Sequence, residues 1–300
     1  MSDSFHRALL QDDSIVIGIT ITTQLCRDVQ RLHELSNGSS LALGRLLTAS
    51  ALTGLIQENP GTLSFQVVGS GKFGQIYADI NDEGKIRGYI KNTGVQLPGA
   101  VKTIETKRHS LSSLVGQGCI SVIRIGENNQ VTQSTTPITA GEIDQDIQTF
   151  IEQSDQVPTC LACETLLDEN ASDIQVAGGI IVQAMPDTKQ DRMEEIRTLL
   201  ENGKFSNLLS KFNGDWKEIL NEIAPESKVL SESKHVQWQC RCSYERCKNA
   251  LRMLNTIELA DMVSKHETPN ITCDFCGRHY TLELSDIEQI YGETLQSTDT

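Results

Sequence analysis

No stretch of this chain reads as long enough to cross a membrane, and nothing at its start resembles a secretory leader. Residues 1–13 are polar, and the run 15–21 alternates with a period of two, as a strand does. A cytoplasmic location without a membrane partner is the expectation. Positive charge is scarce too: 26 Lys and Arg face 40 Asp and Glu, for a formal net charge of −14. Such a chain repels phosphate unless a local basic patch intervenes, so nucleic acid is not an expected partner. There is no Gly-rich loop ending in Lys-Ser/Thr, and hence no motif that calls for ATP. His6, His33, His109, His235, His266 and His279 form no triad with a serine or cysteine that spacing supports, and no enzyme is expected.

What the chain does have is cysteine. Nine thiols, an odd number without a secretory signal, point to a reducing compartment that keeps them for metal or redox work. Cys240 and Cys242 form Cys-Arg-Cys, and Cys273 and Cys276 form Cys-Asp-Phe-Cys. Two close pairs so spaced can close a tetrahedral four-thiolate zinc site, one ion per chain in the reduced state. Gly277 after the second pair permits the positive φ of a tight knuckle, which turns backbone N–H groups toward the sulfurs. Cys-x-Cys is the unusual half. Its sulfurs can share a metal but sit awkwardly for an unstrained mutual disulfide, so metal loss leaves an oxidisable group. A purely structural zinc ribbon is the plainer alternative.

With 38% hydrophobic residues, 300 residues can bury a core and form two domains. Strands are expected at 14–22, 62–68, 73–80 and 85–91, with a turn at 81–84, and a hairpin at 119–125 and 131–135 turning at 126–129. Helices are expected at 24–36, at 40–57 ended by Pro60-Gly61, and at 141–153; 174–185 is the last apolar strand. From 187 to 236 charge density rises and no strand pattern remains. Met193, Ile196, Leu199 and Leu200 fall on one helical face there, and Trp216, Ile219, Leu220 and Ile223 on another. Helices this short are marginal alone, and their order is expected to depend on a folded zinc domain. Beyond 237, Ser243 can cap a helix through Leu251, Asn255 with Glu258 and Ser285 with Glu288 have capping-box spacing, and 280–284 alternates as a strand. So small a domain needs its metal, which contributes about 10 to 16 kcal/mol in zinc peptides. The expected fold is α+β: an N-terminal mixed β-sheet domain with packed helices (1–186), a metastable helical linker (187–236) and a small four-cysteine zinc-binding domain (237–300).

The segment Cys240-Arg241-Cys242-Ser243 with Glu245-Arg246-Cys247, then Cys273-Asp274-Phe275-Cys276-Gly277 with His279-Tyr280, resembles the C-terminal zinc segment of the redox-regulated 33-kDa heat-shock chaperone family. Ala78-Asp79, Gly84, Arg87-Gly88-Tyr89, Leu97-Pro98, Gly116-Gln117-Gly118, Gly141-Glu142-Ile143, Glu152-Gln153-Ser154 and Gly178-Gly179 resemble its N-terminal part, so the likeness spans the chain. The resemblance implies an ATP-independent holdase, inactive while reduced and zinc-bound, that binds unfolding proteins after oxidation. It implies disulfides Cys240–Cys242 and Cys273–Cys276, zinc release and linker unfolding, with clients as partners and a homodimer when oxidised. Zinc-bound thiolates are the sensor, because the metal keeps them deprotonated and nucleophilic toward peroxide or hypochlorous acid.

Cys247 matches a family position that is not a ligand and reads as a spare thiol, while Cys26 and Cys119 read as buried small residues. Cys160 and Cys163 form a second Cys-x-x-Cys. In an extended strand they point to opposite faces with Cα atoms roughly 10 Å apart, too far for a disulfide; in a turn they could be a second redox pair. Two other functions are open. A thiol-disulfide oxidoreductase on Cys160 and Cys163 needs a helix starting at the first thiol. A zinc-ribbon nucleic-acid binder would use Arg241, Arg246, Lys248, Arg252 and Arg278, cations that more simply offset the charge of a zinc tetrathiolate.

Overall fold

Alternation over Ile15–Ile21 makes a strand whose odd-numbered isoleucines share one face, and the larger part of the molecule is organised around it. The computed structural model describes residues 3–10, 14–57, 61–98, 108–186, 188, 190–230 and 233–298. The chain divides into two compact units, Met1–Gln239 and Cys240–Thr300.

In chain order the first unit holds β1 (Ser4–Leu10), β2 (Ile15–Ile21), α1 (Thr23–Leu32), α2 (Asn37–Ile56), β3 (Gly61–Gly69), β4 (Gln75–Asn81), β5 (Lys85–Ile90) and the single turn α3 (Ser112–Val115). There follow β6 (Gly118–Gly126), β7 (Val131–Pro137), α4 (Ile143–Ser154), β8 (Thr159–Leu167), β9 (Ile174–Ala184) and α5 (Gln190–Leu200). A 3₁₀ turn at Glu201–Gly203 leads to α6 (Lys204–Lys211), α7 (Trp216–Ile223), β10 (Ser227–Val229), β11 (Lys234–His235) and β12 (Gln237–Trp238). One sheet runs β10-β1-β2-β9-β8, with β11 also on β1; the other runs β12-β5-β4-β3-β6-β7. Among the described residues these strands pair antiparallel except β12 on β5. Gly84, at φ +77°, makes the expected turn between β4 and β5.

Between the sheets lies α2, packed against strands of both. By length and composition this 20-residue helix is apolar enough to cross a membrane, which corrects the expectation that no stretch is. It is a core helix instead, buried all round. Its one charge, Arg45, is fully buried and paired: Nη1 lies 3.0 Å from Glu142 Oε2 and Nη2 3.2 Å from Glu164 Oε2. Arg108 joins the same cluster through Glu142, Asp144 and Glu164. Burial alone would raise the Asp144 carboxyl; the Arg108 guanidinium outweighs it and holds the group below the usual carboxylate range. The Pro60 stop expected after α2 lies outside the described residues.

Met193, Ile196 and Leu200 of α5, Phe205 and Leu209 of α6, and Ile219, Leu220 and Ile223 of α7 are all buried in one cluster. Their partners are Ile15, Ile17, Ile19, Val176, Ile180 and Val182, the face of the first sheet turned away from α2. This corrects the expectation as to the partner: the docking surface of these helices is the N-terminal sheet, which offers the apolar area short helices need. Leu199, assigned to the buried stripe, is 43% exposed. Strands also persist beyond residue 187, because β10 and β11 borrow their pairing from β1. Two or three residues carry no periodicity of their own.

His6 of β1 stacks on Trp216 of α7, ring centroids 3.6 Å apart. Burial, helped by Lys217, pushes the His6 pKa down to about 4 from 6.5. Between those values the unfolded chain takes up a proton that the folded chain refuses, so stability is lost as pH falls through that window. Amides of α7 are expected to exchange faster at pH 5 than at pH 7 after correction for intrinsic rates, and His6→Gln should erase the difference. An equal pH response in that variant would show that His6 does not set it.

Candidate metal centre

The second unit consists of α8 (Tyr244–Leu251), α9 (Thr256–Ser264), β13 (Asn270–Thr272), β14 (His279–Thr281) and α10 (Leu284–Thr298). Ser243 caps α8 by accepting from the Arg246 N–H at 3.2 Å, and Asn255 with Glu258 completes a capping box on α9. The Ser285–Glu288 box does not form, since Ser285 already lies inside α10. Leu282, expected within a strand over 280–284, follows the short β14 and is buried. The buried core is small: Cys247, Leu251, Leu259, Leu282, Ile287 and Ile290.

Beside that core the two cysteine pairs converge. Cys273 follows β13 and Cys276 precedes β14, so the hairpin between these strands presents one pair. Gly277, at φ +66°, closes it, its N–H donating to the Cys273 carbonyl at 2.8 Å. The Arg278 N–H is directed at the Cys276 sulfur and the Cys242 N–H at the Cys240 sulfur, as a metal knuckle arranges them. Cys240 and Cys242 lie ahead of α8. Their sulfurs stand 3.7 Å (Cys240–Cys273) and 3.5 Å (Cys242–Cys276) from the other pair, and all four lie within 4.8 Å of one another. A zinc ion bonded to four thiolates at about 2.3 Å spaces their sulfurs about 3.8 Å apart. A disulfide needs about 2.0 Å. The four sulfurs therefore fit a metal ion.

Tyr280 donates its hydroxyl to Cys242 Sγ at 3.1 Å. Burial would raise the Cys242 thiol, but this bond and those from the neighbouring cysteines outweigh it and bring its pKa down to about 7. Burial pushes Cys240 up to about 12. The quartet thus holds at least one thiol that ionises near neutrality, which favours metal binding and nucleophilic attack alike. Nothing in residue spacing marks Tyr280 as a neighbour of the sulfurs; the available signals are its place in β14, directly after the knuckle, and its inclusion in the segment that carries the family likeness.

The profile of the family described as "Hsp33 protein" matches residues 3–283. The chain belongs to the Hsp33 family. Curated relatives include the 33 kDa chaperonin of Streptococcus pyogenes serotype M49, 31% identical over 295 residues, which covers 97% of this chain and 99% of that one. The 33 kDa chaperonin of Acaryochloris marina is also 31% identical, over 97% of each chain. The crystal structure of the Thermotoga maritima 33 kDa chaperonin superposes with a TM-score of 0.82 at 24% identity, over 99% of this chain and all of that one. The α+β fold is therefore that of Hsp33, from the sheets to the cysteine-bearing end.

Of the other thiols of this Hsp33 chain, Cys247 is near enough to the quartet to feel the charge of Cys242 and Cys273, while Cys26, Cys119, Cys160 and Cys163 belong to the first unit. Cys160 and Cys163 both lie in β8, on opposite faces: Cys160 joins the cluster under the linker helices and Cys163 the one around α2. Burial raises both thiols. No helix starts at Cys160, so the arrangement an oxidoreductase requires is missing there. Cys26 is buried as expected, whereas Cys119 on β6 is only half-buried, a correction that follows from the exposure of neighbouring β7. Cys247 packs in the core of the small unit. Cys247→Ala and Cys26→Ala are expected to leave oxidative activation of client binding near wild type, at a modest cost in stability. Loss of activation in Cys247→Ala, with its zinc content intact, would bring a fifth thiol into the redox chemistry.

Proposed function

We propose that this Hsp33-family chaperone is a redox-regulated, ATP-independent holdase. Reduced, it carries one zinc ion on Cys240, Cys242, Cys273 and Cys276 and is inactive; oxidised, it binds unfolding proteins and associates as a homodimer. One observation carries the reading: four sulfurs gathered at metal-binding distances in a unit whose own apolar core is six buried residues. When bound, zinc keeps the four thiols deprotonated and cross-links the two segments that bear them. Cys273 pairs with Cys276 and Cys240 with Cys242, each pair giving two electrons to the oxidant; peroxide leaves as two waters, hypochlorous acid as chloride and water. The sulfurs stand 3.7 Å (Cys240–Cys273) and 3.5 Å (Cys242–Cys276) apart across the two segments, and all four lie within 4.8 Å of one another. Pairing within each segment consumes the four thiolates that would hold the ion and so removes the cross-link between the segments, which couples oxidation to opening.

Chain continuity supplies the link to the rest of the protein. The Gln239 N–H donates to the Ile86 carbonyl at 2.9 Å, and the next residue is Cys240. Loss of order at the quartet releases the chain beside β12 and β11, and then the short helices α5 to α7. Beneath these lies the isoleucine-rich face of the first sheet. An exposed apolar face of that kind can hold apolar segments of an unfolding protein. A reducing cytoplasm is the compartment in which the thiols would await an oxidant.

The reduced protein should bind one zinc per chain, and oxidation should release it as suppression of client aggregation appears, with the mass of a dimer by light scattering. Full suppression by the reduced, zinc-loaded protein, or none after complete zinc release, would defeat this reading.

A further inference from the structure

In the two large sheets, each end but one is blunted among the described residues. In the first sheet β8 is buried, packed by α4, α5 and α6, and the opposite side ends in the short β10 and β11, which carry Lys228 and Lys234. In the second, β12 is two residues long. The remaining end is β7, seven residues, mostly exposed, with nothing paired to its outer side among the described residues. Exposed edges are usually guarded by charge, because their unpaired N–H and C=O groups recruit other strands. Here the guard is missing: residues 128–141 contain no Asp, Glu, Lys or Arg in a chain with 22% charged residues.

Two hydrogen bonds fix which groups face outward. The Ile138 N–H donates to the Gly118 carbonyl at 2.9 Å, and the Gly126 N–H donates to the Gln130 carbonyl at 3.0 Å. Antiparallel ladders alternate, so Thr132, Ser134 and Thr136 bond to β6. Val131, Gln133 and Thr135 then point both N–H and C=O away from the sheet, and Pro137 adds a carbonyl while ending the row of donors. The side chains, Val-Thr-Gln-Ser-Thr-Thr, have no apolar alternation to impose a register. An edge that specifies neither charge nor register suits a partner with an extended backbone and arbitrary sequence better than a fixed interface between copies.

We propose that β7 is a client-pairing edge: an extended segment of an unfolding protein adds to the second sheet beyond β7 through the outward groups of Val131, Gln133 and Thr135. This rests on the holdase reading and deepens it. Main-chain bonding gives sequence-independent capture, while the apolar face beneath the linker helices supplies the oxidation-dependent part. Edge binding alone is weak, so the reduced protein remains inactive although its edge is open.

Amide hydrogen exchange of the unmodified, oxidised full-length protein tests this, with reduced carboxymethylated α-lactalbumin, a permanently unfolded chain, as probe. The amides of Val131, Gln133 and Thr135 should slow by about tenfold or more on adding probe, with little change at the already bonded Thr132, Ser134 and Thr136. Gln133→Pro removes an outward donor without removing a bond to β6. It should raise the chaperone-to-client ratio for half-suppression of aggregation by about threefold. Suppression without slowing at the three amides, together with wild-type behaviour of Gln133→Pro, would overturn the edge and leave the holdase standing. Slowing on oxidation alone, growing with protein concentration, would make the edge a contact between copies and overturn the client. No suppression by the oxidised protein would remove the holdase reading and the edge with it.

Discussion

A Cys273→Ser protein is expected to bind zinc at least about 100-fold more weakly than wild type and to lose amide protection throughout α8, α9 and α10. The magnitude follows from how little else holds that unit. Its core is Cys247, Leu251, Leu259, Leu282, Ile287 and Ile290, and most of its surface polar pairs, such as Arg252 with Glu293 and Lys265 with Asp261, are exposed and contribute little. Structural zinc contributes about 10 to 16 kcal/mol in small domains, far beyond what six buried side chains offer against the entropy of about 60 ordered residues. Zinc stoichiometry by mass spectrometry and exchange of 244–298 are the measurements. Full stoichiometry with a protected unit would mean that Cys273 is not a ligand.

The second large effect is expected at Ile219. This side chain is fully buried between α7 and the first sheet, and α7 is only 8 residues long. Placing a carboxylate there removes about 2 to 4 kcal/mol of apolar burial and adds an unpaired charge. Ile219→Glu should therefore undock α7 and hold clients while still reduced and zinc-loaded, with β3 to β6 protected as in wild type. Leu199→Glu is the control: at 43% exposure it should behave as wild type. An Ile219→Glu protein with rapidly exchanging α7 amides that stays inactive until its zinc leaves would separate linker opening from client binding.

Local signals were legible in the sequence and long-range ones were not. The cysteine quartet shows in spacing, because two short motifs and one glycine encode both the knuckle turn and the gathering of four sulfurs. The strand Ile15–Ile21 shows in alternation, and the caps Ser243 and Asn255 in residue type. β1 escaped, since its inward-facing His6 interrupts the apolar pattern and is tolerated only because Trp216, some 200 residues on, covers it. β10, β11 and β12 are too short to carry a period and exist only as additions to β1 and β5. The linker stripes were visible as amphipathic faces, but amphipathicity names no partner, and the choice between the zinc unit and the sheet lay in the three-dimensional arrangement. The same holds for the buried charges around Arg45, whose carboxylates lie far along the chain.

That separation bears on how the protein is made. Arg45 and Glu164 are 119 positions apart, and α2 cannot be enclosed until β8 and β9 have been synthesised. At about 5–20 residues per second, the wait from Arg45 to Glu164 leaving the ribosome is about 6–24 s. For that interval a 20-residue apolar helix with one unpaired cation is open to whatever binds greasy nascent segments. A protein whose proposed work is to shelter such segments spends the start of its own life needing the same service.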